Sequence, residues 1–196
     1  GSIMIRVSFI LWAMMLVTWC AMRYPAMRRA RRQKTRVDRR SPLDISLLAF
    51  CTFALVVMPI AWRLDLLNGF GDRGQGIITI ILGALTGIAF LWLFRRSHKD
   101  LGKNWSVTLE VREGHQLVTQ GVYAHVRHPM YASFLLWGVT QALLIPNWIA
   151  GMAGPVAVLA LYAVRQSREE AMMRETFGAE YDAYCARTKR LVPGVF

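Results

Sequence analysis

Three short stretches in the C-terminal half hold residue types that can do chemistry. Arg127-His128-Pro129-Met130-Tyr131 stands immediately before an apolar run. Proline suits the first turn of a helix. The N–H groups and positive dipole end of a helix start suit a carboxylate; alternatively, Arg, His and Tyr at this place simply anchor a helix at a membrane interface. Arg165-Gln166-Ser167-Arg168-Glu169-Glu170 closes the last long apolar run. Arg165 and Glu169 are four apart and share a helix face. They form either a solvated ion pair worth a few tenths of a kcal/mol or the wall of a partly dry pocket, where charges mark function. Between the apolar runs, His115-Gln116-Leu117-Val118-Thr119-Gln120-Gly121-Val122-Tyr123 is a β-prone run ending in a turn at Gly121. A strand with free backbone groups grips a flat polar ligand such as adenine where it lines a cavity; otherwise the run is a plain connector.

Other motifs carry less. Gly69, Gly71 and Gly74 complete a G-x-G-x-x-G. The pattern lies between two apolar runs, without the strand and helix a dinucleotide fingerprint needs, and reads as a flexible turn. His98 heads a cationic segment ending at Trp105-Ser106, which suits a membrane interface. No second His or Cys stands at metal spacing from it, and no metal site is expected. Cys20, Cys51 and Cys185 match no metal motif or disulfide framework and read as small apolar residues.

Taken together, His115-x-Leu117-Val118, Gly121-Val122-Tyr123, Arg127-His128-Pro129-x-Tyr131 and Glu169-Glu170 after a hydrophobic hairpin resemble the isoprenylcysteine carboxyl methyltransferase family, whose wider group includes the phospholipid N-methyltransferases. Phe177-Gly178-x-Glu180-Tyr181-x-x-Tyr184 also looks like the family's ending. The likeness covers residues 98–196, about half the chain. It implies S-adenosylmethionine as cofactor. By that resemblance His115, Gln116, Leu117, Val118 and Tyr123 hold the adenosine part. His128, Pro129, Met130, Tyr131 and Glu169 hold the methionine part and the sulfonium region. Arg165 matches the arginine the family sets against the substrate carboxylate, and Glu110 aligns loosely near the adenine. The chain departs from the family pattern at Ala132-Ser133, where a Gly frequently stands.

The implied reaction is methyl transfer to an amphipathic acceptor, with carboxyl methylation of an isoprenylcysteine-like substrate favoured. A carboxylate is ionised at pH 7 and needs no general base, and Arg165 can hold it bidentately. An amine or thiol acceptor, as in phospholipid N-methylation or small-thiol S-methylation, requires a base from Glu170, His128 or Tyr131. The rival of another class is a non-enzymatic scaffold binding anionic lipid. A transporter fits poorly, because the apolar runs hold almost no ionisable residue to mark a pathway.

The elements that must position these residues are apolar helices. Of 196 residues, 55% are hydrophobic and 18% charged, with a net charge of +12. A span needs about 17–25 residues. The runs 3–22, 43–62, 77–94, 130–145 and 148–164 are candidates, the last two as a hairpin turning at Pro146-Asn147. The first run is longer than a signal-peptide core and reads as a retained span; Gly1-Ser2 reads as an expression scar. Nine of the 24 Lys and Arg lie in residues 23–40, two in 63–76, six in 95–128 and six in 165–196. This alternation fits five spans with the N-terminus outside and the C-terminus and active site cytosolic. It also argues against nucleic acid as the partner of the charge and for anionic lipid near 23–40. The expected architecture is an all-α integral membrane protein of about five transmembrane helices. Residues 1–94 form an N-terminal membrane region. Residues 95–196 form the methyltransferase region, with a cytosolic connector (95–128), a hairpin (129–164) and a cytosolic C-terminal helix (165–196).

Overall fold

Ser41-Pro42-Leu43-Asp44 starts a helix for reasons legible in its residue types. The Ser41 side chain accepts from the Asp44 backbone N–H, the Asp44 carboxylate accepts from the Ser41 N–H at 2.9 Å, and Pro42 fills the first helical position, a reciprocal capping box. The computed structural model containing it describes residues 2–38, 41–106 and 110–196. Gly1, and Arg39 and Arg40 of the basic loop, lie outside the described residues. In chain order the elements are α1 (Ser2–Ala30), β1 (Thr35–Asp38), α2 (Pro42–Arg63), α3 (Ile77–Leu101), β2 (Glu110–Arg112), α4 (Pro129–Leu144), α5 (Trp148–Phe177) and α6 (Ala179–Arg187).

Four of these helical stretches are long and apolar enough to cross a membrane: Ser2–Ala30, Pro42–Arg63, Ile77–Asn104 and Trp148–Phe177. Their outward faces carry exposed Ile10, Val17, Ile45, Ile78, Leu85, Ile88 and Leu159, a band too apolar for water. The chain is an integral membrane protein. The fifth expected span is α4, only 16 residues long, near 24 Å at about 1.5 Å per residue. Its two ends nevertheless meet both ends of α3. Met130 packs with Leu101 and Trp105 at one end; at the other, the Gln75 side-chain amide donates to Leu143 O at 3.0 Å, just before α3 begins.

Small residues let the backbones approach, as expected where lipid supplies little hydrophobic drive between helices. A Cβ at Gly138 of α4 would sit 3.0 Å from the Pro155 Cα of α5. Gly83 and Gly87 of α3 leave room for Leu144, Thr140 and Met15. The core between α1, α3 and α4 is aromatic: Phe90 and Trp137 lie 4.9 Å apart, and Trp12 stacks on Trp137 at 6.3 Å.

Within α2, Phe53–Val57 is a π-helical turn. The Met58 N–H bonds Phe53 O, and the next residue, Pro59, has no N–H to offer Ala54 O. The buried Gln141 side-chain amide donates to that carbonyl at 2.9 Å and to Ala150 O at 2.9 Å. One glutamine thus ties α2, α4 and α5 together.

Several boundaries move. α3 runs on to Leu101 rather than stopping at 94. α5 passes unbroken through Arg165 to Phe177, so no division falls at 164/165, and the break comes at Gly178. The strand expected over 115–123 is absent. Residues 115–119 have no regular structure, and β2 lies just upstream, antiparallel to β1 of the basic loop with Asp38 opposite Glu110. The turn at Glu113-Gly114, with Gly114 at φ +70°, ends the strand. The Gln116 N–H then bonds Asn104 Oδ1 at 2.8 Å, so no ladder partner takes it. The G-x-G-x-x-G segment is a pinned turn: Asn147 Nδ2 donates to Phe70 O at 2.8 Å and to Asp72 Oδ1 at 2.9 Å.

Candidate active site

Two cavities meet where α3, α4 and α5 converge near Trp105. The smaller, about 150 Å3, is walled by the 115–118 coil, Tyr123, the start of α4 and the far end of α5. All ten residues expected to hold the cofactor line it. His115, Gln116, Leu117 and Val118 form one side, with Tyr123 beside them. His128, Pro129, Met130 and Tyr131 come from the first turn of α4, and Glu169 from α5. Glu110 lines it too, paired with Arg112.

Local interactions explain how these residues come together. Gly121 sits at φ +63°, and the space its Cβ would take is filled by the Asp100 carboxylate, which accepts from the Val122 N–H at 2.9 Å. Only glycine fits there. The Tyr184 hydroxyl of α6 donates to Tyr123 O at 2.5 Å. The Arg127 and His128 backbone N–H groups donate to Lys189 O and Arg190 O at 2.7 and 2.9 Å, so the segment after α6 straps the loop. Burial, then Tyr184, Glu169 and Asp100, hold the Tyr123 phenol protonated well above its usual range. Burial, with Arg112 adding to it, pushes His115 below the ordinary histidine value and keeps the ring neutral at pH 7. That ring lies 6.0 Å from Phe177.

The two adjacent acids divide. Glu170 is 2% exposed. Its Oε1 meets Arg127 Nη2 at 3.0 Å, His128 Nε2 at 3.0 Å and Arg190 Nε at 3.5 Å. It clamps the Arg127-His128-Pro129 turn onto α5. Glu169 instead faces both cavities and hydrogen-bonds Tyr131.

The larger cavity, about 370 Å3, opens between α1, α2, α3, α4 and α5 and is largely apolar, with Trp19, Leu48, Leu55, Phe134, Val158 and Leu161 among its walls. Trp105, Ser106, Met130, Tyr131 and Glu169 belong to both cavities. Arg165 lines the larger one only. It is 6% exposed, with its Nε 3.8 Å from Asp44 Oδ1. Asp44 is fully buried and also holds Arg168, at 3.0 and 3.2 Å.

Sequence reasoning missed several of these partners. Asp44 reads as a helix start, and nothing local says that it meets arginines more than 120 residues away. Asp100 and Asn104 look like interfacial polar residues but organise the 115–122 loop. Trp105 is 7% exposed, a cavity wall rather than a lipid-facing anchor. Among the described residues, no group of three or more His, Cys, Asp or Glu could hold a metal. The three cysteines are free.

Comparison with known proteins points to one family. Residues 80–175 match the model of the isoprenylcysteine carboxyl methyltransferase family. Protein-S-isoprenylcysteine O-methyltransferase B of Arabidopsis thaliana is 34% identical over 122 residues, which is 61% of this chain and 58% of the relative. The Homo sapiens protein-S-isoprenylcysteine O-methyltransferase is 33% identical over 90 residues, 46% of this chain and 32% of the relative. The chain therefore spans little more than half the length of the plant relative. A solved eukaryotic intramembrane Ras methyltransferase shares the fold, with TM-score 0.53 and 24% identity over 81% of this chain and 55% of that one. Residues 80–175, just under half of the chain, are similar to the isoprenylcysteine carboxyl methyltransferase family.

Proposed function

We propose that the protein is an S-adenosylmethionine-dependent carboxyl O-methyltransferase acting on an isoprenylcysteine-like acceptor at the cytosolic side of its membrane. The observation that carries this reading is the shared wall: a smaller, more polar cavity and a larger, more apolar one meet at Met130, Tyr131 and Glu169. A water-soluble donor and a lipid-like acceptor can therefore face each other across it.

The smaller cavity fits the donor's three chemistries. The 115–118 backbone, the Tyr123 phenol and the neutral His115 near Phe177 suit a flat nitrogenous base. The Glu169 carboxylate suits a sulfonium or ammonium cation. The first turn of α4, which begins at Pro129, suits an amino-acid carboxylate. When bound, S-adenosylmethionine supplies an electrophilic methyl group carried on sulfur. The carboxylate oxygen bonds to carbon as the carbon–sulfur bond breaks, giving an ester and a neutral thioether with no proton moved.

The chain's own task is then positioning and electrostatics. Arg165, oriented by Asp44, holds the acceptor carboxylate in the apolar cavity. Glu169 steadies the cationic centre until its charge is lost. An amine or thiol acceptor would need a base, and Glu170 is committed to Arg127, His128 and Arg190. The Lys and Arg distribution supports the cytosolic placement, and the Arg-rich residues 23–40 suit anionic lipid.

The test is an acceptor series on one prenyl chain, ending in a carboxylate, an amine or a thiol, with methyl-labelled S-adenosylmethionine and purified protein in micelles. Base-labile label on the carboxylate alone is the expected result. Label on the amine or thiol instead would overturn the reading.

A further inference from the structure

Arg28, Arg29, Arg31, Arg32 and Lys34 are all exposed and crowd residues 28–34 with positive charge. No acidic residue stands between Arg23 and Val37. None of the five cations takes part in an ion pair among the described residues. The carbonyl end of α1 suits Arg28 and Arg29, which lie in its last turn. Arg31 and Arg32 add like charges three and four residues on, which repel. The segment also sits at headgroup depth. The 29 residues of α1 reach about 43 Å at about 1.5 Å per residue, against a hydrocarbon layer of about 30 Å. Its apolar run ends at Met22, so the basic end emerges among the headgroups.

The inner side of the same segment supports the smaller cavity. Ala26 and Ala30 are buried against Trp105, with Met130 packed beside them, and Trp105 and Met130 line both cavities. Beyond Lys34 the chain enters β1, which pairs with β2, and the Glu113 N–H donates to Lys34 O at 3.2 Å. In β2, Glu110 lines the smaller cavity, and Val111 packs on Met172, another of its lining residues. Resting on the proposed S-adenosylmethionine-dependent reaction, we propose that anionic phospholipid headgroups bind Arg28, Arg29, Arg31, Arg32 and Lys34, hold β1 and the end of α1 against the smaller cavity, and so raise its affinity for the cofactor. A bilayer presents several phosphodiesters at once, at the depth of these cations. Ordering the support of a cavity in advance lowers what its ligand must still order, and the coupling is reciprocal.

The experiment places the full chain in nanodiscs of phosphatidylcholine, alone or mixed with phosphatidylglycerol. Calorimetry reads the Kd for S-adenosylmethionine, and hydrogen exchange without cofactor reads the amides of residues 110–112. Phosphatidylglycerol is expected to lower Kd at least about fivefold, the lower end of typical coupling between sites, and to slow that exchange. The combined variant Arg28→Gln, Arg29→Gln, Arg31→Gln, Arg32→Gln should lose most of both gains and keep the wild-type Kd in phosphatidylcholine alone. Equal gains in Kd for wild type and variant, as attraction of a cationic cofactor to any anionic surface would give, overturn the inference. So does exchange at 110–112 that ignores phosphatidylglycerol. Full reproduction of both effects by inositol hexakisphosphate over phosphatidylcholine discs also overturns it, by placing a soluble polyanion where the lipid is proposed. If the variant does not fold, wild-type exchange decides: protection by phosphatidylglycerol supports the inference and its absence overturns it. Wild type without saturable binding in either membrane defeats the cofactor reading itself; saturable binding with one Kd in both defeats only this inference.

Discussion

Replacing Glu170 with Ala leaves the buried Arg127 guanidinium and the His128 ring without their shared carboxylate. The Arg127 and His128 side chains are 9% and 10% exposed, whereas Arg190 is 38% exposed and adds little. Removing one member of a buried ionic cluster typically costs about 3–5 kcal/mol. For a chain of this size each kcal/mol moves the midpoint by about 2–4 °C, so Glu170→Ala is expected to melt roughly 6–20 °C below wild type. Glu170→Gln keeps the shape and one acceptor oxygen and should lose less. The neighbouring Glu169→Ala is the contrast. Glu169 faces the cavities rather than the clamp, so its loss should weaken S-adenosylmethionine binding while leaving the melting midpoint near wild type. Differential scanning fluorimetry in micelles, paired with calorimetric titration of the cofactor, reads both quantities. A Glu170→Ala protein melting within about 2 °C of wild type would refute the clamp. A Glu169→Ala protein with unchanged cofactor affinity would refute the division of labour between the two acids.

Other outcomes follow from the same geometry. Arg165→Lys keeps the charge but loses the planar fork. Acceptor kcat/KM should fall about 10- to 100-fold, the worth of a charged hydrogen bond of about 1.5–3 kcal/mol, with cofactor affinity unmoved; near-normal turnover would exclude a bidentate clamp. Gly121→Ala puts a methyl where Asp100 sits, at a φ costing about 1–2 kcal/mol for other residues. It should weaken cofactor binding roughly 5- to 30-fold by calorimetry. His115 titrates below its unfolded value near 6.5. Its stabilising contribution is therefore fully present above about pH 6.5 and lost as pH falls through the lower folded value. Cofactor affinity should be flat from pH 8 to 7 and decline on further acidification, and His115→Phe should remove the decline.

Much of this was legible in the residues, because the legible parts are local. Apolar runs and a proline opening α4 depend on neighbours in the chain. The residues expected to hold the cofactor fall in short contiguous segments, and they line one cavity. What stayed hidden is long-range. Asp44 meets Arg168 across the whole bundle, and Glu170 reaches back to Arg127; each looks like an ordinary helix-end charge. The backbone at 115–118 has strand-forming side chains, but Gly114 and Asn104 take it out of any ladder. At the C-terminal end of α4, Arg73 and Gln75 donate to the carbonyls of Ala142 and Leu143, a contact that hydropathy does not register.

Two cavities with one common wall are what the proposed methyl transfer requires. Val56 lines the larger cavity and not the smaller one, half-buried in α2, and Val56→Trp is chosen to obstruct the larger cavity while leaving the smaller one open. The decisive measurement is a calorimetric titration of S-adenosylmethionine into wild type and Val56→Trp in micelles, alongside methyl transfer to a prenylated carboxylate. Saturable binding with the same Kd in both proteins, and transfer lost only in Val56→Trp, is the predicted result. Absence of saturable binding by wild type, or undiminished transfer by Val56→Trp, would contradict it.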